Sequence, residues 1–316
     1  MTAADPLRAP EALDAFREDR TYLGADHRRN ERRTWLVTGI CALTLVAQLA
    51  GGIAFRSMAL TASGLHMAAH VAALLVAAGA YALARRHADD PRFAFGTGKL
   101  GYLAGFANAV VLAITAVMIG VESAHRLLNP EAVDYASALP LAAAGLAVTL
   151  LCVWLLRPAH SHAARHDRDG DLNIAAAHLH LAADAAVSVV ALAAMAAGRQ
   201  LGWGFADPLA GLVGAALVAH FAWRLLHRAG AALLDVNPSA ELTAEVRARL
   251  EADGGRVLDL HLWRLGPGHH AVIAVVAGGG DAAACRARLH GLPGVSHVTI
   301  EARPAGDPHA DHGHVH

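Results

Sequence analysis

The sequence predicts an α-helical membrane protein, a bundle of six transmembrane helices with a C-terminal α+β domain of element order αββαβ. Three observations support this fold class. Only 17% of the 316 residues are charged, whereas soluble proteins carry roughly 25%. Six segments reach the roughly 20 apolar residues that a helix needs to cross a bilayer. Beyond residue 236 the sequence becomes polar and alternates, as expected for a small soluble domain.

The six predicted spans belong to one transmembrane domain, residues 34–236. They cover about 34–55, 58–84, 101–121, 138–156, 174–198 and 204–226. Residues 1–33 are predicted to form a cytoplasmic tail and not a signal peptide, because charged residues precede any apolar run.

The basic residues predict the orientation of the spans, since cytoplasmic loops hold an excess of Lys and Arg. Thirteen basic residues flank the spans on the side of the N-terminus, against three on the opposite side. The thirteen are Arg28, Arg29, Arg32, Arg33, Arg85, Arg86, Arg92, Lys99, Arg157, Arg165, Arg168, Arg224 and Arg228, and the three are Arg56, Arg126 and Arg199. We therefore expect a multi-pass protein of the inner (plasma) membrane with both termini in the cytoplasm.

Residues 237–304 are predicted to form a cytoplasmic α+β domain. Its predicted elements are a helix over 241–252, strands over 256–265 and 271–277, a helix over 281–292 and a strand over 295–302. His269 and His270, beside a Gly-Pro-Gly turn, are expected at the surface. Residues 305–316 form a histidine-rich tail.

The composition excludes several classes of protein. A net charge of −1 and long apolar stretches argue against nucleic-acid binding and against disorder. Cys41, Cys152 and Cys285 fall in separate segments without a CxxC spacing, so neither a disulfide framework nor a thiolate zinc site is indicated. Histidine is unusually abundant at 21 residues, and its imidazole is the commonest metal ligand in proteins.

Two pairs of polar residues lie inside predicted spans, where ionisable groups are costly and usually functional. His66 and His70 are four residues apart in span two, and His180 and Asp184 are four apart in span five. Each spacing places both side chains on one helix face. Three imidazoles and one carboxylate would make a tetrahedral site for a divalent transition metal. The alternative is that each histidine only hydrogen-bonds across helices. The presence of two matched pairs favours the metal site over this alternative.

Other polar residues are weaker metal candidates. Asn173, two turns before His180 on a similar face, would line the cytoplasmic approach, whereas His178 is expected to face elsewhere. His160, His162 and His166 suit either a weak metal-gathering loop or an ordinary solvated loop, and the tail histidines His309, His312, His314 and His316 are interpreted in the same way.

The chain resembles the cation diffusion facilitators, a family of six-span dimeric metal exporters with a cytoplasmic metallochaperone-like domain. The resemblance covers about residues 34–303 and rests on "GGIAFRSMALTASGLHMAAHVAAL" in spans one and two, "DLNIAAAHLHLAADAAVSVVALAA" in span five and "DLHLWRLGPG" in the soluble domain. It implies proton-coupled metal efflux, a homodimer, and a transport site at His66, His70, His180 and Asp184. His261 matches a metal-binding pattern of the soluble domain, although Ala274 and Glu301 stand where some members have histidines.

The resemblance also bears on the metal. Zinc exporters of the family usually end the span-two motif in Asp, whereas this chain has His70. That variant, followed by "FGTGK", resembles the branch that exports cobalt and nickel, with zinc or cadmium as the alternative. The expected function is therefore metal/proton antiport by alternating access, with the metal as substrate and no resident cofactor. A membrane metalloenzyme or a metal sensor is the remote alternative.

Overall fold

The computed structural model describes residues 22–23, 26–54, 58–129, 135–157 and 171–304, and the side chains of 58–62, 65–66, 135 and 137 lie outside this description. Six described helices are long and apolar enough to cross a membrane. They are α1 (His27–Ala54), α2 (Met58–Arg86), α3 (Leu100–Leu128), α4 (Tyr135–Leu155), α5 (Leu172–Leu201) and α6 (Ala206–Leu233). The predicted membrane fold is confirmed, and the chain is a multi-pass membrane protein.

Several helices extend beyond the predicted spans. Helix α1 begins at His27, within the predicted N-terminal tail, and α3 continues to Leu128. Hydropathy detects only the apolar part of a helix, whereas polar turns at its ends persist when they find partners. The first turns of α1 find partners on α2 and at the start of α5. Arg85 Nε of α2 lies 3.0 Å from Glu31 Oε2, and Asn30 Nδ2 donates to Oδ2 of Asp171, just before α5, at 2.9 Å.

Small residues allow close helix packing. A Cβ atom at Gly211 of α6 would collide with the Ser123 hydroxyl of α3. A Cβ atom at Gly214 would lie 2.7 Å from Cγ1 of Val187 in α5. Glycine at these positions lets the backbone of α6 approach both neighbours, as in other membrane bundles. Large apolar side chains remain exposed on the outer faces and suit lipid contact, among them Leu43, Val46, Ile53, Ile114, Met118, Trp154 and Val213.

Helices α1 and α4 bring together two cysteines whose positions in the chain do not suggest a pair. The sulfur atoms of Cys41 and Cys152 lie 3.6 Å apart, and both thiols are buried and free. The spacing between them in the chain is too long for any local motif, so only the packing of the two helices reveals the contact.

The C-terminal domain has the predicted αββαβ order. Its elements are α7 (Ala240–Glu251), β1 (Arg256–Gly266), β2 (His269–Ala277), α8 (Ala282–Leu289) and β3 (Val295–Arg303). Strand β2 is central, antiparallel to β1 and parallel to β3. The helices cover one face of this sheet and form its core, with Val246, Leu250, Val272, Val276, Cys285 and Leu289 buried.

The expectation that His270 lies at the surface is wrong. Strand β2 begins at His269, earlier than predicted, so the strand alternation turns the next side chain inward. His270 is 4% exposed, and its Nδ1–H donates to the Gly294 carbonyl oxygen at 3.0 Å. His269 is half-buried and its Nδ1 atom lies 2.7 Å from the Ser296 hydroxyl.

The α+β domain packs against the loop between α2 and α3. Gly98 of this loop lies so close to the end of β1 that a Cβ atom there would collide with the Leu265 carbonyl oxygen. The Phe95 ring meets the rings of Trp263 and His297, with centroids 5.5 and 5.8 Å away. Lys99, which follows in the same loop, pairs with Asp235 at 2.5 Å, just after α6. The α+β domain and the α2–α3 loop are therefore at the same end of the bundle.

Candidate metal centre

Helices α2 and α5 bring three of the predicted ligands together near the middle of the bundle. The His70 Nδ1 atom lies 3.2 Å from His180 Nε2, and the His70 Nε2 atom lies 3.2 Å from Asp184 Oδ2. His70 is 3% exposed and His180 6%, while the Asp184 side chain is 17% exposed. The carboxylate, less deeply buried than the two imidazoles, is the group nearest to an opening.

The hydrogen-bond directions follow from the chemistry of the groups. A carboxylate only accepts, so the His70 tautomer with its hydrogen on Nε2 suits the Asp184 oxygen 3.2 Å away. His70 Nδ1 then accepts from His180 Nε2–H if both rings are neutral, or donates if His70 is protonated. A metal ion needs the lone pairs that these protons occupy, and metal binding at such a row therefore competes with protonation.

The three side chains face a small, partly open cavity. Its lining residues are Ala69, His70, Leu112, Thr115, Ile119, His180, Asp184, Val187 and Val218. Thr115, Ile119 and Val187 follow the site along α3 and α5, away from the helix ends that lie near the α+β domain. The cavity therefore extends from the site toward the opposite end of the bundle, which suits passage of a small cation on that side.

The remaining predicted ligands are placed as follows. His66 lies in α2 one turn before His70, but its side chain is outside the described part of the chain. Asn173 is fully buried, and its Nδ2 donates to the Ala77 carbonyl oxygen at 2.8 Å. Within the described residues, no group of three or more His, Cys, Asp or Glu side chains is already placed to hold a metal ion.

The weaker candidates lie apart from this site. His178 is half-buried, and its ring lies beside the Val153 backbone of α4. His261 lies exposed on β1 with its Nε2 atom 2.8 Å from Asp259 Oδ2. His160, His162 and His166, and the tail histidines, lie outside the described residues.

Sequence reasoning missed the contribution of α3. Thr115 lines the cavity, and Asn108, seven residues earlier, is 1% exposed. Residues seven apart lie two turns apart on the same helix face. Asn and Thr carry no charge, so a search for ionisable residues in the spans passed over both, although their spacing is visible in the sequence.

Asp171, at the start of α5, is a second residue that was missed. Its carboxylate accepts from the backbone N–H groups of Asn173 and Ile174 and so caps the helix. It also accepts from Asn30 Nδ2 at 2.9 Å and from the Tyr81 hydroxyl at 2.5 Å. One carboxylate thus ties α5 to α1 and α2 at the end of the bundle that carries the α+β domain.

Comparison with known proteins agrees with the fold. Residues 34–234 match the family model of the cation efflux transmembrane domain. The chain is 32% identical over 240 residues to the zinc transporter ZitB of Escherichia coli (strain K12), covering 75% of this chain and 74% of that protein. It is 28% identical over 254 residues to a cadmium, cobalt and zinc/H(+)-K(+) antiporter of Bacillus subtilis (strain 168), covering 79% of each chain.

A third relative is similar over nearly the full length of both proteins. The metal cation efflux system protein CzcD of Cupriavidus metallidurans is 28% identical over 306 residues, which are 92% of this chain and 93% of the relative. The family match covers more than half of the chain and includes both polar pairs of α2 and α5. The chain therefore belongs to the cation efflux family, the cation diffusion facilitators, and is a divalent-metal efflux transporter and not an enzyme.

Proposed function

We propose that the ion crosses the membrane through a site formed by His66, His70, His180 and Asp184. The contact of His70 with both His180 and Asp184 carries this proposal, because it joins α2 to α5 through the residue types that bind borderline divalent metals. His66 is included because it lies one turn from His70 on the same helix face. Metal is the substrate here and passes through the site in transit.

The choice of metal is also a proposal. The imidazole of His70, where a carboxylate would give a harder ligand set, supports cobalt or nickel as the substrate. The relatives support zinc as the second candidate, since their names include zinc, cadmium and cobalt. Zinc accepts tetrahedral nitrogen and oxygen ligands without geometric preference, so both candidates fit the donor set.

Proton exchange would drive export. Metal binding needs neutral imidazoles and an ionised carboxylate, so protons arriving from the more acidic outer side would displace the ion. The cavity toward one end of the bundle and the close packing toward the other end suit alternating access, in which the site opens to each side in turn.

We further propose that both termini are cytoplasmic in the inner membrane, as the thirteen-to-three distribution of basic residues indicates. The α+β domain lies at the same end as Lys99 and Arg85, two of these basic residues. A homodimer is proposed on the family resemblance, and light scattering of the purified protein in detergent tests it.

Uptake into everted membrane vesicles tests the function. Vesicles from a metal-sensitive host are given cobalt, nickel, zinc or cadmium, with an acidic interior maintained by respiration. We expect uptake of at least one of these ions that stops when the pH gradient is dissipated and that is absent with the His180→Ala variant. Uptake that persists without the gradient would contradict antiport, and uptake by the His180→Ala variant would contradict the site.

A further inference from the structure

Two buried amides lie between the candidate metal centre and the end of the bundle that carries the α+β domain. Asn108 of α3 is 1% exposed and Asn173 of α5 is 0% exposed. Within the described part of the chain, neither amide atom of Asn108 has a hydrogen-bond partner, and Oδ1 of Asn173 has none. Buried polar atoms are nearly always paired. Three buried amide atoms without a hydrogen-bond partner on neighbouring helices therefore indicate a position where a ligand binds.

The helix contacts fix where Asn108 lies. A Cβ atom at Gly105, one turn earlier, would contact the Leu172 carbonyl oxygen and Ala176 of α5 at 3.5 and 3.7 Å. Leu112, one turn later, lines the cavity of the metal centre. Residues three or four apart share a helix face, so Asn108 lies on the face of α3 that is turned toward α5, between these two contacts.

Asn173 occupies the next position toward the α+β domain. A Cβ atom at Gly101 of α3 would lie 3.5 Å from its Cβ atom, and its Nδ2 donates to the Ala77 carbonyl oxygen of α2. Gly101 in turn lines a second small cavity, together with Tyr81 and Asp171. The two amides therefore lie between a cavity that holds the Asp171 carboxylate and the cavity that holds Asp184.

We propose that Asn108 and Asn173 form a transit site through which the metal ion passes between Asp171 and the row of His70, His180 and Asp184. The inference rests on the proposed function and adds a third helix to the path. When α3 and α5 separate at this end, the orphaned amide oxygens face the opening and replace part of the ion's water shell. In the closed arrangement described here they exclude the ion.

Amide oxygens suit transit better than carboxylates would. A conducting site must bind strongly enough to admit the ion and weakly enough to release it. A neutral carbonyl oxygen attracts a divalent cation less than the charged oxygens of Asp171 and Asp184 on either side. The ion would therefore move from a carboxylate, across two amides, to the stronger imidazole and carboxylate ligands.

Replacement of Asn108 by leucine tests the proposal, since leucine has the same branching and the same number of non-hydrogen atoms. The transit role predicts a melting temperature equal to or above that of the wild type, because an unpaired buried amide is removed. It also predicts at least a fivefold slower initial uptake of cobalt or zinc into everted vesicles. Slower uptake with a lowered melting temperature would indicate a packing defect, and unchanged uptake would overturn the proposal.

Two further variants keep the test decisive. Asn108→Asp retains the shape and an oxygen and should lower the half-saturating metal concentration at least twofold; a raised half-saturating concentration in folded protein would overturn the proposal. Thr149→Val, a matched isosteric change at a buried position of α4, should leave uptake unchanged.

The proposed function can fail separately. If wild-type vesicles take up no metal, export through this site is wrong, whereas transit is still measured as the association rate of cobalt with purified protein. Asn108→Leu should then slow association at least fivefold with the equilibrium affinity within twofold of the wild type. An unchanged association rate would overturn the transit site.

Discussion

The imidazole ring of His70 meets that of His180 edge to face, at an interplanar angle of 84° with the centroids 5.2 Å apart. The nearest nitrogens, Nδ1 of His70 and Nε2 of His180, are 3.2 Å apart. Two nitrogens bound to one tetrahedral zinc ion at about 2.0–2.1 Å are separated by roughly 3.3–3.4 Å. The two helices thus already hold these nitrogens near the required separation, and rotation of the rings would direct both lone pairs at one ion.

Alanine replacement of His66, His180 or Asp184 should reduce metal uptake at least tenfold without loss of membrane insertion. Each substitution removes one ligand from a four-ligand set, while the helix packing depends on apolar neighbours such as Leu181. Uptake into everted vesicles and the amount of protein in the membrane fraction check the two parts. The control is His178→Ala, which should be mild because that side chain faces α4; a defect as severe as that of His180→Ala would contradict the assigned helix faces.

His70→Asp should shift the export ratio toward zinc at the expense of cobalt and nickel. The substitution exchanges one imidazole for a harder, charged oxygen ligand, and zinc accepts mixed nitrogen and oxygen ligation readily. Competition between the metals in the same vesicle preparation measures the ratio, for which we expect at least a threefold change. An unchanged ratio would mean that His70 does not contact the transported ion.

Deletion of residues 307–316 should lower export when metal is scarce and leave the maximal rate nearly unchanged. The four histidines of this tail can raise the local metal concentration without forming part of the path. Uptake measured over a range of metal concentrations separates the two effects. Loss of uptake at saturating metal would show that the tail has a structural or gating role.

Gly98→Ala should destabilise the contact between the membrane bundle and the α+β domain. A new Cβ atom would collide with the backbone of Leu265, Gly266 and Tyr22, none of which can move as a flexible side chain does. Overpacking of this kind costs about 1–3 kcal/mol, so the melting temperature in detergent should fall by several degrees. Gly79→Ala is the matched control, because a Cβ atom there meets nothing within 4 Å; an equal loss in both variants would argue against the collision.

The sequence predicted those features that depend on local periodicity. Apolar length marked the six helices, and the four-residue spacing of His180 and Asp184 marked a shared face. The beginning of α1 at His27 could not be predicted in this way, because Glu31 and Asn30 are held in the helix by partners more than fifty residues away.

Two other features depend on tertiary packing. Asp171 is one of three Asp residues within a short polar run, and nothing in that run indicates which carboxylate caps α5 and accepts from Tyr81. Asn108 is a single amide in an apolar helix, and whether such an amide is paired depends on what the neighbouring helices offer. The orphaned state of Asn108 is therefore visible only in the folded protein.

The backbone contact of Gly98 with Gly266 limits how far the two parts of the chain are modular. Because the contact is made by main-chain atoms, a soluble domain grafted from a relative would fit only if its turn after the first strand had the same path and an equally small residue. Chimaeras should therefore exchange the α2–α3 loop together with the α+β domain. A foreign domain joined only at the end of α6 would be covalently attached to the bundle. It would lack the contact with the α2–α3 loop that links the domain to α2, the helix that carries His70.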